Sequence, residues 1–293
     1  MHAAKVGVIV VLALLTLAGA SATPAPETHT RAHPPIVIVG DAGFLLPGSG
    51  VRSGSGTEAD PFVIAHWTIA QPTALTGALG IVLMGTSAHV LVKDVEILGP
   101  ACQVECPFYE AVRIEGARNV VLEDVRVHHF EIGLTILDSR DVAVDGFSHR
   151  GGPDPRFFGD ANRVLNSADV TLAGLHTESL GWRNLLIQDS SGVAVAGARF
   201  GPSAYPNWDA GTVTVARSTD VAFRGSEFRG ADLTLGRGVD KLVVETTRSS
   251  TADNSTRGPP NPRARTARSP SAATASRPRA TPRSRSRARP PCS

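Results

Sequence analysis

The residues His128, His129 and Glu131 form the polar cluster whose types best fit a chemical role. Imidazole changes charge near neutral pH, and a neighbouring carboxylate would let the group work as general acid and base. These three are therefore the candidate catalytic residues. An exposed ladder of charged side chains on a repetitive surface would give the same pattern, with Arg150 and Glu178 at the position of His128 in the next two repeats. Both interpretations stay open.

Three long insertions, at residues 99–111, 150–161 and 201–211, carry aromatic side chains beside carboxylates and amides. Aromatic faces can pack on sugar rings, and carboxylates or amides can bond sugar hydroxyls. The alternative is that the aromatic side chains fold down and form small apolar clusters over the core. The candidate ligand-binding residues are Phe157, Asp160, Tyr205, Asn207, Trp208 and Asp209.

Other polar positions argue against several chemistries. The outward positions of the first predicted strand, which include Arg113, Thr135 and Arg163, contain no neighbouring carboxylate pair for glycoside hydrolysis and no oxygen-rich calcium site. Two Met and scattered His do not make a soft copper cluster. No metal site and no cofactor are predicted. His149 falls at an inward position, where a hydrogen-bonded core histidine is expected.

Cys102 and Cys106 are separated by three residues in the first long insertion. In an exported chain, this spacing predicts a local disulfide that closes a short loop. The alternative is half of a metal site, but no His or second Cys pair has a suitable spacing.

A repeated pattern of short alternating segments must position these residues. Val120 and Leu122 alternate with polar neighbours at a period of two, which predicts a strand. Equivalent segments recur every 21 to 30 residues, a period that indicates a solenoid with three short strands per repeat. The anchors of the repeat are Val90, Val120, Val142, Val170, Val193, Val221 and, less cleanly, Leu242.

Two turns in each repeat have a recognisable composition. The residue four past the anchor is Gly or Asp in six of the seven repeats, which predicts a left-handed corner. Small or polar residues precede the anchor. The fold class predicted is all-β, a right-handed parallel β-helix of about seven coils. The corner residues are Asp94, Asp124, Gly146, Gly174, Gly197, Gly225 and Thr246, and the preceding turn residues are Ser87, Ala117, Ser139, Ser167, Ser190 and Ser218.

The chain divides into five predicted segments. Residues 1–22 are typical of a signal peptide for export, with Lys5, an apolar run and a small-residue cleavage site, and no later segment is apolar enough to cross a membrane. Residues 23–35 are a flexible lead-in, and residues 36–79 form an N-terminal cap whose first strand spans 36–44. Residues 80–247 hold the repeats.

The last segment, residues 248–293, is rich in Arg, Pro and Ser, and is expected to be disordered. It carries 11 Arg against one Asp, whereas residues 23–247 carry 17 basic and 26 acidic residues. The segment is either an arm that binds anions or nucleic acid, or the product of a shifted reading frame. The folded body is not expected to bind nucleic acid.

The stretches GDAGF (40–44), GSGTEADPFVIAHWTI (54–69) and GIVLMGTSAHVLVKDVEI (80–97) carry a family resemblance. Together they resemble the start of archaeal secreted right-handed β-helix proteins of the NosD-like, PbH1-repeat type. The resemblance covers about residues 35–247. It implies the fold, export and a loose association with carbohydrate binding or sugar hydrolysis, and it places no catalytic residue.

The function predicted is a secreted or cell-surface module that binds carbohydrate without catalysis. One alternative is a polysaccharide lyase or glycoside hydrolase whose acids come from the long insertions. Another is a purely structural surface protein.

Overall fold

Alternation of apolar and polar residues produces strands along the whole described chain. The computed structural model describes residues 31–70, 79–99, 110–151, 160–178, 183–202, 212–245 and 248–250. A 3-10 helix covers Asp41–Leu45. The strands are β1 (Arg31–His33), β2 (Ile36–Val39), β3 (Val51–Ser53), β4 (Phe62–Ala65), β5 (Trp67–Ala70), β6 (Leu79–Met84), β7 (Val90–Leu98), β8 (Glu110–Glu115), β9 (Arg118–His128), β10 (Ile132–Leu137), β11 (Arg140–Asp145), β12 (Ser148–Arg150), β13 (Asn162–Leu165), β14 (Ala168–Ala173), β15 (His176–Glu178), β16 (Arg183–Gln188), β17 (Ser191–Ala196), β18 (Arg199–Phe200), β19 (Thr212–Ala216), β20 (Thr219–Arg224), β21 (Glu227–Arg229), β22 (Leu233–Leu235), β23 (Asp240–Glu245) and β24 (Arg248–Ser250).

These strands form two sheets in which neighbours are successive coils. The first sheet has eight parallel strands in the order β2-β6-β8-β10-β13-β16-β19-β22. The second has 16 strands and bends at a corner, so that it supplies the other two faces of each coil. β9 runs across both of these faces and pairs in parallel with β11 and then β12 of the next coil. The protein is a right-handed parallel β-helix, as predicted.

The core is a set of inward columns along the helix axis. Val120 pairs in register with Val142, which pairs with Val170, and all three side chains are buried. Each such side chain contributes about 1.5–3 kcal/mol when it leaves water. The predicted inward positions are therefore confirmed except in the last coil, where Leu242 is only half-buried and Leu235 and Val244 are exposed.

The predicted left-handed corner between the second and third faces is present in six coils. Its residues have φ between 51° and 70°, and they are Asp94, Asp124, Gly146, Gly174, Gly197 and Gly225. The seventh, Thr246, lies outside the described residues. Because Gly and short Asp side chains tolerate this region, the corner repeats without strain.

The turns after β10, β13, β16 and β19 each bury a serine, at the position where small or polar residues were predicted. The backbone N–H of Ser139 donates to Ser167 Oγ at 3.1 Å, and the N–H of Ser167 donates to Ser190 Oγ at 3.2 Å. One predicted member was wrong: buried Thr86, and not Ser87, occupies this column. The turn after β6 is one residue longer than the five turns that follow it, which moves the equivalence by one position.

The N-terminal segment differs in detail from its predicted form. The strand expected over 36–44 ends at Val39 and gives way to the 3-10 helix. β3 pairs antiparallel with β4, and Phe44 stacks on Phe62 with ring centroids 4.6 Å apart. β4 and β5 already pair in parallel with β7, so the first coil begins inside the segment assigned to the cap.

Both ends of the described chain add strands beyond the predicted repeats. β1 lies within the expected lead-in and pairs in parallel with β5. β24 lies within the segment expected to be disordered and pairs in parallel with β21. The cleavage site, and residues 251–293, lie outside the described residues. Within the described part of the chain, no helix has the length and apolar character needed to span a membrane.

Candidate functional site

The N-terminal ends of the first-sheet strands form one edge, which we call the loop edge. It comprises the starts of β8, β10, β13, β16 and β19. Each long insertion enters at this edge, because β8, β13 and β19 follow the insertions and are alternate strands of one sheet. Parallel pairing therefore brings the three insertion ends to one side of the molecule. Most of each insertion, at residues 100–109, 152–159 and 203–211, lies outside the described residues.

Arg163 links two strands at the loop edge. Its Nη2 donates to Oε1 of Glu110 at 3.3 Å, and Nη2 and Nε donate to Oγ1 of Thr135 at 3.0 and 3.2 Å. Thr135 lies on β10, between β13 and β8, so the guanidinium crosses the intervening strand. Glu110 also accepts a hydrogen bond from Arg113 Nη1 at 3.0 Å. The Glu110 carboxylate is almost fully buried and is balanced by two arginines.

Glu131, one residue before β10, is also almost fully buried, with 7% of its surface exposed. It makes no ion pair with any described residue. The pKa of its carboxyl is raised to about 7, chiefly by burial, with the charge of Arg163 opposing the shift and that of Asp160 adding to it. Since a carboxylic acid with this pKa exchanges protons near neutral pH, Glu131 can serve as either acid or base.

Asp160 completes the polar set at the loop edge. It forms an isolated bridge with Arg183, whose Nε donates to its Oδ1 at 2.9 Å. Burial raises the pKa of its carboxyl, against the opposing charges of Arg183 and Arg163. Three carboxylates, on Glu110, Glu131 and Asp160, therefore surround Arg163 at the base of the insertions.

Sequence reasoning named Glu131 and Asp160 as members of two separate groups, and it missed Glu110. It placed Arg113, Thr135 and Arg163 on one outward face, and that placement is correct. It found no acid there besides Glu115, because Glu110 begins its strand at the edge and Arg163 reaches it across a neighbouring strand. The sequence signal that could have found Glu110 was an acid at the end of an insertion, close to outward-facing arginines.

The structure does not bring the three predicted catalytic residues together. The charged neighbours of Glu131 are Arg163 and Asp160, whereas His128 points outward from β9 and lies 3.7 Å from Glu96 through Nε2. Burial is the main cause that lowers the pKa of His128. His129 lies in the short corner with φ of 62°.

The ladder interpretation of His128 agrees with the pairing. Arg150 is its register partner, and Arg150 in turn pairs with Glu178, to which its Nη2 donates at 2.7 Å. These positions are as predicted.

His149 is a buried core residue with a hydrogen bond, as predicted. Its Nε2 lies 3.0 Å from the carbonyl oxygen of Phe130. Burial lowers the pKa of the imidazole to about 4. Its Nδ1 and the nearby Asn162 Oδ1 are buried and have no hydrogen-bond partner among the described residues.

Of the predicted ligand-binding residues, Asp160 lies at the loop edge. Phe157, Tyr205, Asn207, Trp208 and Asp209 lie outside the described residues, as do Cys102 and Cys106 of the predicted disulfide. In the described ranges, no three His, Cys, Asp or Glu side chains are grouped as a metal ion would require.

The chain matches no protein-family model, and no curated protein sequence matches it. It is similar in structure to the gp42 tailspike of Acinetobacter phage vb_AbaP_AS12, with 10% identity and a TM-score of 0.35 over 78% of this chain and 54% of the tailspike. The chain thus spans about half of that protein. The chain is also similar to the Streptococcus pneumoniae surface protein and adhesin PfbA. The two share 9% identity and a TM-score of 0.30, over 76% of this chain and 86% of PfbA.

A third similar structure is the A-module of the mannuronan C-5 epimerase AlgE6 of Azotobacter vinelandii. It has 10% identity and a TM-score of 0.26, over 66% of this chain and 84% of that module. At these identities the likenesses bear on fold alone, and no function is inferred from them. The NosD-like resemblance stays a prediction, and the parallel pairing of the strands identifies the chain as a right-handed parallel β-helix protein.

Proposed function

We propose that this protein is a secreted or cell-surface β-helix that binds carbohydrate at the loop edge. The single observation that carries the proposal is the arrangement of Glu110, Glu131, Asp160 and Arg163 at the edge where the insertions enter. Carboxylates and guanidinium groups held in fixed positions can bond sugar hydroxyls with little entropy to lose. The insertions add aromatic residues, which can pack on sugar rings.

Export is part of the proposal. It depends on the leader-like residues 1–22 and agrees with the two cysteines in the first insertion. An extracellular module that presents one long edge of repeated coils suits an extended ligand, because each coil adds an equivalent position about 4.8 Å further along the axis.

Binding can be tested with the purified full chain on a panel of neutral and acidic oligosaccharides. We expect selective binding that Trp208→Ala and Arg163→Gln each weaken, by about threefold to tenfold for a lost contact of roughly 0.7–1.4 kcal/mol. Arg199→Gln is the matched control, since Arg199 is an exposed arginine on β18, away from the first sheet. Absence of binding, or binding that neither substitution changes, would contradict the proposal and favour a purely structural surface protein.

A second function, cleavage of a glycan, is favoured by one specific observation. Glu131 is a buried carboxyl with a pKa of about 7, in a polar cluster that also contains a second acid, Asp160. Such a pair can divide the roles of acid and base between two carboxyls whose pKa values differ. These two candidate acids precede β10 and β13, beside the insertions.

The catalytic alternative is tested by depolymerisation assays on the same glycans. If it is correct, Glu131→Gln lowers the cleavage rate at least about a hundredfold, the usual contribution of a general acid or base. The variant should still bind the glycan. If the wild-type protein binds a glycan and does not cleave it, the catalytic alternative is rejected and only the binding function is retained.

A further inference from the structure

A second surface, far from the loop edge along each strand, also has the form of a binding site. The six turns that follow β8, β10, β13, β16, β19 and β22 each contain left-handed residues at two positions. In one coil these are Asp138 and Asp141, with φ of 50° and 54°, and in the next they are Asn166 and Asp169, with φ of 48° and 53°. Between the two left-handed residues of each pair, the side chain that points inward is a buried serine. Because serine is small, the turn is narrow and the surface is concave there.

Stacking these turns produces a groove of about 520 Å³ that runs along the helix axis, which we call the turn groove. Its volume is in the range of ordinary ligand sites. Five successive turns line it, beginning with the turn after β6, and the side chains at its floor are small, which leaves room for a slender, extended ligand. Its polar lining residues include Arg118, Asp138, Arg140, Asn166, Asp189 and Ser191.

Arg118 and Arg140 are the distinctive pair in the turn groove. They are direct register partners on β9 and β11, so their backbones lie about 4.8 Å apart. Both side chains are exposed. Arg118 forms no ion pair with a described residue, and the one carboxylate near Arg140 is that of Asp141 at 3.9 Å. Like charges opposite each other on neighbouring strands are unfavourable. A bound anion would relieve this repulsion.

The acids of the turn groove are already engaged by protein groups. Asp189 accepts hydrogen bonds from Arg217 Nε and Nη2 at 2.6 and 2.8 Å. Asp138 accepts a hydrogen bond from Asn166 Nδ2. Arg217 balances the charge of Asp189, whereas Asp138 keeps its charge because its amide donor is neutral. Arg118 and Arg140 therefore outnumber Asp138, the one unbalanced acid among the lining residues, and favour negative groups at their part of the groove.

We propose that the turn groove binds an extended acidic glycan, with a carboxylate or sulfate of the glycan held jointly by Arg118 and Arg140. Guanidinium groups bond such oxyanions in a forked geometry. The hydroxyls of the glycan would meet the Ser191 side chain and the exposed backbone of the turns. This site lies at the opposite ends of the first-sheet strands from the loop edge, so it goes beyond the proposed function and does not depend on it.

Calorimetric titration of the full chain tests the proposal, with oligogalacturonate and a sulfated oligosaccharide as acidic probes and a malto-oligosaccharide as the neutral probe. We expect the acidic probes to bind and the doubly substituted Arg118→Gln/Arg140→Gln protein to bind them roughly fivefold to tenfold more weakly, as for two exposed ion pairs. Arg199→Gln should bind as wild type does. All three proteins keep the basic segment 248–293, so any anion binding by that segment cancels in the comparison.

Several outcomes would overturn the proposal. These are equal affinity in wild type and the double variant, preference for the neutral probe, or absence of acidic-glycan binding. Loss of binding in Arg163→Gln alone would assign the ligand to the loop edge and leave the first proposal standing. Competition by a single-stranded DNA oligomer at equal affinity would show a general anion site and reject the glycan assignment. Because both arginines are exposed, an unchanged melting temperature is expected and verifies folding.

Discussion

The guanidinium of Arg163 on β13 crosses the intervening strand β10 and reaches the buried carboxylate of Glu110 on β8, with 3.3 Å between Nη2 and Oε1. The two residues are 53 positions apart in the chain. Three consecutive coils are therefore joined by side chains as well as by backbone pairing, at the edge proposed to bind carbohydrate.

Replacing Arg163 should lower stability. Arg163→Gln leaves the Glu110 carboxylate with one arginine, and the lost charge-assisted hydrogen bond is expected to cost about 1–3 kcal/mol of unfolding free energy. Chemical denaturation measures the change. The matched control is Arg217→Gln, which breaks a fully exposed pair with Asp189 and should leave the midpoint unchanged. Equal losses in the two variants would mean that Arg163 and Glu110 are not buried together.

Glu131 should make stability depend on pH. Its folded pKa of about 7 lies above the ordinary value of 4.5, so the folded state binds the extra proton between these values. Wild-type stability from this group is therefore present at low pH and is lost as pH rises from about 4.5 to 7. Glu131→Gln removes this pH-dependent loss of stability. The melting temperature of the variant minus that of wild type should therefore increase from pH 5 to pH 8. A constant difference across that range would place Glu131 in solvent.

His149 should produce the opposite dependence. Its folded pKa of about 4 lies below the ordinary 6.5, so the unfolded chain binds the proton first as pH falls. Its contribution to stability is present above pH 6.5 and is lost between pH 6.5 and 4. In His149→Gln the amide nitrogen can still donate to the Phe130 carbonyl. The advantage of wild type over this variant in melting temperature should shrink on acidification. If the melting temperatures of the variant and wild type differ by the same amount at every pH, the imidazole of His149 is accessible to solvent and the prediction is wrong.

The inward register is tested by a pair of substitutions on one strand. Leu122 is fully buried and Val121, its neighbour, faces outward. Leu122→Asp buries an unpaired charge and should cost more than about 4 kcal/mol, enough to reduce soluble expression. Val121→Asp places the same group toward solvent and should be tolerated. Far-ultraviolet circular dichroism and melting curves of both proteins check this, and similar behaviour in the two would refute the register.

Much of the fold could be predicted because its determinants are local. The inward columns follow from alternation at a period of two, as at Val120 and Leu122. The corner follows from Gly or Asp at a position that needs positive φ, as at Asp124 and Gly146. The one error in the turn column, Ser87 for Thr86, arose from a turn of different length, which no single repeat reveals.

The candidate site could be predicted only in part. Glu131 and Asp160 were among the candidates, but as members of two separate groups. His128 was joined to Glu131 because the two are close in sequence, whereas the short corner between them directs each toward different neighbours. Proximity along the chain is a poor guide here, because a coil turns sharply within three residues.

By itself, then, the sequence determined the coil, the side of each strand that faces the core and the edge at which the insertions enter. Each of these depends on residue types within a single repeat. The tertiary structure decided which polar side chains meet: Arg163 with Glu110, and Arg183 with Asp160. Those contacts depend on how far a long side chain reaches across stacked strands and on how much water the stack excludes. Neither quantity exists until neighbouring coils are in place.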